Sequence, residues 1–414
     1  MNNNKIIHLK GPDRVRMRPS VIFLSDSIEG AQEAVQNLLY VFVREALLGY
    51  CKHLKVRQDG STLEISGDDR GLYLGQDTGD DTNWKALFCE MYPTPKLCPD
   101  EGGYTIELFE DNHHALYGEE QPPDESLFKG DHCYMELYVL QCASKYMDVL
   151  VNRNGIQSKL HFERGYNIGG INHTPTESTN GSCFKFELDS EVFSETTIPE
   201  SYFLKMLQIF AFHVPGFECQ YEKSGEKIVS FCYPNGVSDY VHSKNLESPL
   251  SAYNKRIEAK GRNRYDHPGY KTCVEVSIGY TPNAGDLRCF HNLRELTYGG
   301  THRDELQRLL CATLNSCYWD YIIGDEIDDL EERFRLRHEK ELTCEEIARH
   351  VTAVIISWCP SYCSMWENGT RLSIKNQVIT DITHDAMVPE FENYVYQHKE
   401  EYRKLVDLIL EERK

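Results

Sequence analysis

The sequence predicts an α+β chain built as two successive domains. Three observations point there. An apolar helical stretch over 31–48 runs into alternating strands over 54–56 and 63–65, which bracket the turn Asp59-Gly60. A second hairpin signal, Asn154-Gly155, sits between apolar runs, and the alternating segment SCFKFELD follows it. From 227 onward a new set of strands and helices begins, in a chain of 414 residues that can hold two or three cores.

Taken in order, a strand-like lead enters the turn Gly11-Pro12. Arg18-Pro19 then fixes a turn ahead of the long helix, which ends at Gly49. The interval 76–121 is loop-rich (QDTGDDTNW, YPTPKLCPDEGG, YGEEQPPDE) around an apolar patch at 84–92. In that interval His113-His114 reads as exposed loop. Apolar spacing at Tyr134, Leu137, Tyr138 and Cys142 predicts a helix over 130–145. SYFLKMLQIFAFH reads as a helix closed by Pro215-Gly216. Beyond 227, Thr301 is placed to cap the helix RDELQRLLCATLNSC. The acidic run 325–332, DEIDDLEE, reads as a solvated helix face, and 390–414 as one charged helix.

The net charge of −21 repels a phosphate backbone, so tight duplex DNA binding is not expected. Fifteen cysteines are scattered without a CxxC pair. Cys359 and Cys363 with His350 come nearest to a metal cluster, and we expect no metal site there. An odd cysteine count without a signal peptide implies reduced thiols acting as small core hydrophobes, hence a cytoplasmic protein. No apolar run reaches the ~18 residues that a membrane span needs.

The segment LKGPDRVRMRP, the helix ending REALLGYCK and the strand end GDDRG together resemble the ATP-binding region of the DNA gyrase B and topoisomerase IV family of GHKL ATPases. That family reads LKGLxAVRxRPGMYIG, then ExVDNxxDEALAG, then DDGRG. Residues 5–49 align with it without a gap. Further on, YPNGVSDYVHSKN, VEVSIGY, the GGTH at Gly299 to His302, and LTCEEIARHVTAVIISW resemble the family's transducer segments. The resemblance implies a GHKL (Bergerat-type) two-layer sandwich over 1–226, then a ribosomal-protein-S5-like transducer over 227–414. The chain ends where a TOPRIM domain would begin. Only 1–4 precede the aligned segment 5–49, where the family has a dimerising arm.

The resemblance also assigns the nucleotide site, residue by residue. The general-base position falls on Asn37, whose amide cannot take a proton. The Mg²⁺ ligand position falls on Val41, which has no oxygen to offer. The adenine-binding Asp falls on Gly67, while Asp68, Arg70 and Gly71 match the family. In the phosphate loop Gly130 and His132 match, but Cys133 and Met135 replace glycines where backbone must approach phosphate. Gly369 stands at the lysine that reaches the γ-phosphate. The adenine-pocket TGT reads Asn180-Gly181-Ser182. A rival register would use Glu33 and Asn37 as base and metal ligand, at the cost of a four-residue slip within a helix.

The implied function is a degenerate relative of the gyrase B ATPase region that acts by contact, as a homodimer or with type II topoisomerase subunits. ATP and Mg²⁺ enter only if the site is rebuilt. In that alternative the chain is an ATP-binding, ATP-hydrolysing topoisomerase fragment.

Overall fold

The computed structural model describes residues 9, 11–76, 82–91, 135–244, 253–261, 270–281, 285–319, 327–359, 364–367 and 372–413. These form two compact units that part between Pro234 and Asn235.

The first unit opens with two short helical turns, α1 (Asp13–Arg16) and α2 (Pro19–Ile22), and then α3 (Ile28–Leu47). Helix α3 buries Ala31, Ala34, Val35, Leu38, Leu39, Phe42 and Val43 almost completely, the i, i+3, i+4 stripe of a core-facing helix. Gly49, at φ +83°, closes it. Its N–H bonds the Ala46 carbonyl at 2.9 Å, and the Tyr50 N–H reaches the Glu45 carbonyl at 2.8 Å, so the last turn's orphan acceptors are met. Strands β1 (His53–Asp59) and β2 (Thr62–Gly67) form the expected hairpin.

After α4 (Thr82–Cys89) comes α5 (Met135–Cys142), which ends earlier than the helix expected over 130–145. Strand β3 (Ser144–Arg153) already begins two residues later, and the Ser144 hydroxyl donates to the Leu140 carbonyl at 2.8 Å, stopping the helix. Strands β4 (Ile156–Glu163), β5 (Tyr166–Asn167), β6 (Asn172–Pro175) and β7 (Gly181–Leu188) follow. They are succeeded by α6 (Glu200–His213), β8 (Glu218–Lys223) and β9 (Val229–Phe231). Among the described residues the sheet order is β5-β4-β3-β7-β2-β1-β8-β9, with β6 on β4. Only the β1–β8 pair is parallel. Inward residues such as Leu54, Val56, Leu63, Ile65, Phe184 and Phe186 are buried, whereas outward ones such as Lys55, Arg57 and Lys185 are not. One face of the sheet is thus covered by helices and the other is open.

The boundary expected at 226/227 needs correction. β9 pairs with β8, so 227–234 complete the first sheet. The second unit begins with α7 (Val237–Lys244). Its sheet runs β10-β11-β14-β12-β13, from β10 (Tyr253–Gly261), β11 (Tyr270–Tyr280), β12 (Asp286–His291), β13 (Arg294–Glu295) and β14 (Val351–Trp358). Every residue of β14 is buried. Val351, Ala353 and Ile355 join one core with Leu306, Leu310 and Leu314 of α8 (Thr301–Cys317). The N-cap of α8 is Gly300, not Thr301, whose hydroxyl instead donates to the Asn376 carbonyl at 3.3 Å.

Of the acidic run expected as a helix face, 325–326 lie outside the described residues, 327–329 precede a helix and only 330–332 enter it, exposed. Helix α9 (Leu330–Lys340) starts within it, and Asp329 is the N-cap, accepting from the Glu331 N–H at 2.9 Å. Helix α10 (Cys344–Arg349) starts with a Thr343–Glu346 capping box. The expected single tail helix is two, α11 (Gln377–Gln397) and α12 (Lys399–Glu412), broken at His398. Nothing lies within 4 Å of a Cβ built on Gly49, so the cost of filling it is backbone strain alone. Gly49→Ala is expected to lower stability by about 1 kcal/mol in urea unfolding, without changing the slope.

Candidate functional site

The residues of interest gather at the far end of β2. Alternation sends Leu63 and Ile65 toward the helices, and Gly67 is the next inward position. In the ladder Gly67 stands opposite Ser182 of β7. A Cβ built on Gly67 would lie 2.5 Å from Cδ1 of Phe42 and 3.1 Å from the His53 carbonyl oxygen. Phe42 is fully buried and meets Phe184 edge-on, ring centroids 6.0 Å apart. The position that the resemblance gives to the adenine-binding Asp therefore faces a ring, with no room for a side chain. Gly181 is held by a related constraint, since its Cβ would come within 2.6 Å of the Gly67 carbonyl oxygen.

An inward carboxylate does exist, two residues further along the chain. Asp69 is 3% exposed. It accepts the Ser182 N–H at 2.7 Å, the Ser182 hydroxyl at 2.8 Å and the Gly71 N–H at 3.1 Å. Burial, with the charge of Glu45 adding to it, outweighs these three donors and raises its carboxyl to about 6. Asp69 ties the end of β2 to β7. Asp68 points to the open face instead. It accepts the Lys52 and His53 N–H groups at 2.7 and 2.8 Å and contacts His53 Nδ1 at 2.6 Å. Partial burial pushes its carboxyl up, but the bonds from His53 and Lys52 prevail and hold it below its ordinary value.

Arg70 and Gly71 are brought into the same group. Arg70 makes a two-pronged pair with Glu45 of α3, at 2.8 and 2.7 Å, and stacks 3.8 Å from the Tyr50 ring centre. Gly71, at φ +78°, leaves no room for a Cβ, which would meet the Asn152 carbonyl at 2.4 Å. Its own carbonyl accepts from the buried Arg153 at 2.7 Å. On α3, Val41 is 9% exposed. Asn37 lies half-buried one turn earlier and forms no side-chain hydrogen bond among the described residues. Glu33 is half-buried, one turn before Asn37. Met135 opens α5. Gly130, His132, Cys133 and Gly369 lie outside the described residues, as do His113 and His114.

Sequence reasoning overlooked Phe42, Asp69 and Arg153. Two signals were available. A bulky ring on α3 is matched by a missing side chain at Gly67. The period of two through 63, 65 and 67 also leads inward to 69. As for ATP with Mg²⁺, which the resemblance implies, these residues do not suit it. Val41 offers no oxygen, Asn37 no proton acceptor, and Gly67 abuts Phe42.

Residues 236–414 match the DNA gyrase B family. Over 413 residues the chain is 24% identical to the DNA gyrase B protein of Thermotoga maritima, covering 97% of this chain and 58% of that one. It is 25% identical over 412 residues to the Streptococcus pyogenes gyrase B protein, covering 96% and 56%. It therefore spans a little over half the length of these relatives. The 43K ATPase domain of Thermus thermophilus gyrase B superposes with a TM-score of 0.64 at 18% identity, covering 97% and 94% of the two chains. The topoisomerase IV ATP-binding domain of Francisella tularensis gives 0.61 at 13%, covering 97% and 96%.

The second unit matches the gyrase B family, and the whole chain is similar to the gyrase B ATPase region. Its fold is accordingly the GHKL two-layer sandwich followed by a transducer-type domain. The gyrase B family match begins one residue after the second unit does. In that unit the GGTH histidine, His302, is wholly buried. Its Nε2 lies 3.0 Å from the Phe290 carbonyl and 3.1 Å from the Cys289 sulfur, and burial pushes it down to about 4. It braces α8 against β12. His350 is similarly engaged, with Nδ1 3.3 Å from the Thr281 carbonyl and Nε2 3.1 Å from Glu412.

The strand end generates two expected outcomes. Gly67→Asp forces a side chain and a charge onto Phe42 and is expected to cost about 3 kcal/mol or more, read as a lower urea midpoint. Asp69 has its carboxyl raised in the folded state, from 3.8 to about 6. Its contribution to stability is thus full below pH ~4 and is lost as pH rises to ~6. Asp69→Asn should remove that slope, worth up to ~3 kcal/mol, from a urea series between pH 4 and 7.

Proposed function

We propose that this gyrase B-like chain has given up ATP hydrolysis and acts by protein–protein contact, with itself or with a type II topoisomerase. The observation that carries this reading is the Phe42 ring against Gly67, the position that the resemblance gives to the adenine carboxylate. Asn37 and Val41 support it, because neither can serve as base or metal ligand. The Glu45–Arg70 pair favours the ungapped register. It joins two residues that both match the family, whereas a slip to Glu33 and Asn37 would displace Glu45 by a turn. Loss of the adenine carboxylate alone removes a charge-assisted bond of ~1.5–3 kcal/mol, roughly ten- to a hundred-fold in affinity.

The acidic balance argues against duplex DNA as the main partner. Every described cysteine is a free thiol, which suits a reducing, cytoplasmic setting. Among the described residues no helix is long and apolar enough to cross a membrane.

The competing reading is a rebuilt nucleotide site, and Asp69 favours it as an inward carboxylate beside Ser182. Its acceptor capacity is largely taken by Ser182 and Gly71, which weighs against that role. The purified protein is expected to release no phosphate from Mg·ATP above the blank, and Asn37→Glu should not restore release, since the metal ligand would still be missing. ATP should leave the thermal midpoint unmoved. A shift that grows with ATP as binding linkage requires, and that vanishes in Asp69→Ala, would establish the rebuilt site instead.

A further inference from the structure

We infer that Cys311 and Cys344 form a dithiol site in the second unit, where a low-molecular-weight disulfide is reduced as the two thiols close into a bond. The pair lies apart from the nucleotide position and goes beyond the proposed function.

Two helices bring the thiols together. Cys311 lies in the middle of α8, and Cys344 is the first residue of α10. Buried Leu342 and Ile347 flank Cys344 and join the core that holds Leu310 and Leu314 of α8. Asn315, one turn after Cys311, clamps the approach to α10. Its Oδ1 accepts the Leu342 N–H at 2.9 Å, and its Nδ2 donates to the Leu342 carbonyl at 2.9 Å. Cys311 Sγ lies 3.6 Å from that same carbonyl. Cys344 follows two residues later, and the two thiols are hydrogen-bonded to each other. Both are half-buried free thiols, so a small molecule reaches them. Other neighbouring thiols differ: Cys219 beside Cys51 and Cys142 beside Cys89 are sealed off at 0% exposure.

The surroundings set the order of events. Burial, then the Cys344 thiol and the charge of Glu341, push Cys311 up to about 12. Cys311 is thus a poor first attacker, since the thiolate is the nucleophile. Cys344 attacks first. Its thiolate takes one sulfur of the small disulfide, so a mixed S–S bond forms as the original one breaks. The other half leaves as a thiolate and takes up a proton. Cys311 then loses its proton to solvent and attacks Cys344 Sγ, expelling the second half, which is protonated in turn. Two protein thiols lose two electrons and two protons, and the small disulfide gains them as two thiols. The new bond ties α10 to α8. The tail is docked on α10 as well, through Arg413 to Glu346 at 2.5 and 2.6 Å, so the bond fixes that joint too.

Oxidised glutathione, applied to the intact native chain, is the probe. After the remaining thiols are blocked, peptide mapping is expected to show Cys311 joined to Cys344, with fragmentation separating Cys311 from Cys317. Dithiothreitol should reverse the link. In Cys311→Ser, Cys344 should keep a glutathione adduct. In Cys344→Ser, Cys311 should take glutathione roughly tenfold or more slowly than Cys344 does in Cys311→Ser. The inference is overturned by a native chain in which exposed Cys89 or Cys232 takes glutathione but no Cys311–Cys344 link forms. It is equally overturned by Cys311 reacting as fast as Cys344. Mapping of the wild type needs no substitution, so a serine variant that fails to fold leaves the test standing.

Discussion

The seating of Phe42 in the gap left at Gly67 governs how α3 lies on its sheet. A glycine at this inward position lets the ring approach the β1–β2 ladder, and the ring in turn bars any side chain there. Burying a phenylalanine is worth about 2–3 kcal/mol, and the edge-on contact with Phe184 adds ~0.5–1.5. Apolar packing thus occupies ground where the family resemblance places a polar recognition group. The exchange is stabilising for the fold and unfavourable for the ligand.

Around that contact the polar groups serve each other. Asp69 directs its acceptors to Ser182 and Gly71, Arg70 is clasped by Glu45 and Tyr50, and Arg44 makes a two-pronged pair with Glu136 at 3.1 and 2.8 Å. These partly buried pairs contribute little net stability compared with apolar replacements. Breaking one partner alone is costly, so they fix geometry. A site that binds and turns over a charged ligand keeps donors and acceptors aimed outward. Here Asp69, Arg70 and Arg44 are aimed at protein.

The second unit repeats this arrangement in another form. His302, His291 and Ser357 are buried together, with His291 Nδ1 2.9 Å from the Ser357 hydroxyl, between the β12–β14 pair and α8. Burial holds both imidazoles below their ordinary range, so they are neutral hydrogen-bonding struts at physiological pH. A motif shared with the family is retained here through packing.

Periodicity by itself determined the helix over most of 28–47, the β1–β2 and β3–β4 hairpins and the α6 helix, because these elements are set by local spacing and turn residues. The motif order likewise specified the GHKL and transducer sequence of folds. The proposed loss of ATP chemistry also rests on residue identity, since Asn37, Val41 and Gly67 stand where the resemblance puts the base, the metal ligand and the adenine carboxylate. Tertiary structure decided the rest. That β9 belongs to the first sheet depends on which strand it pairs with. The period of two points Asp69 inward, but past the end of β2 it is the bonds from Ser182 of β7 that hold it there. That the tail breaks at His398 depends on where α11 and α12 find apolar cover. What fills the space beside Gly67 is the ring of Phe42, from a different element, and no local pattern encodes that contact: it exists only once α3 has been laid across the sheet.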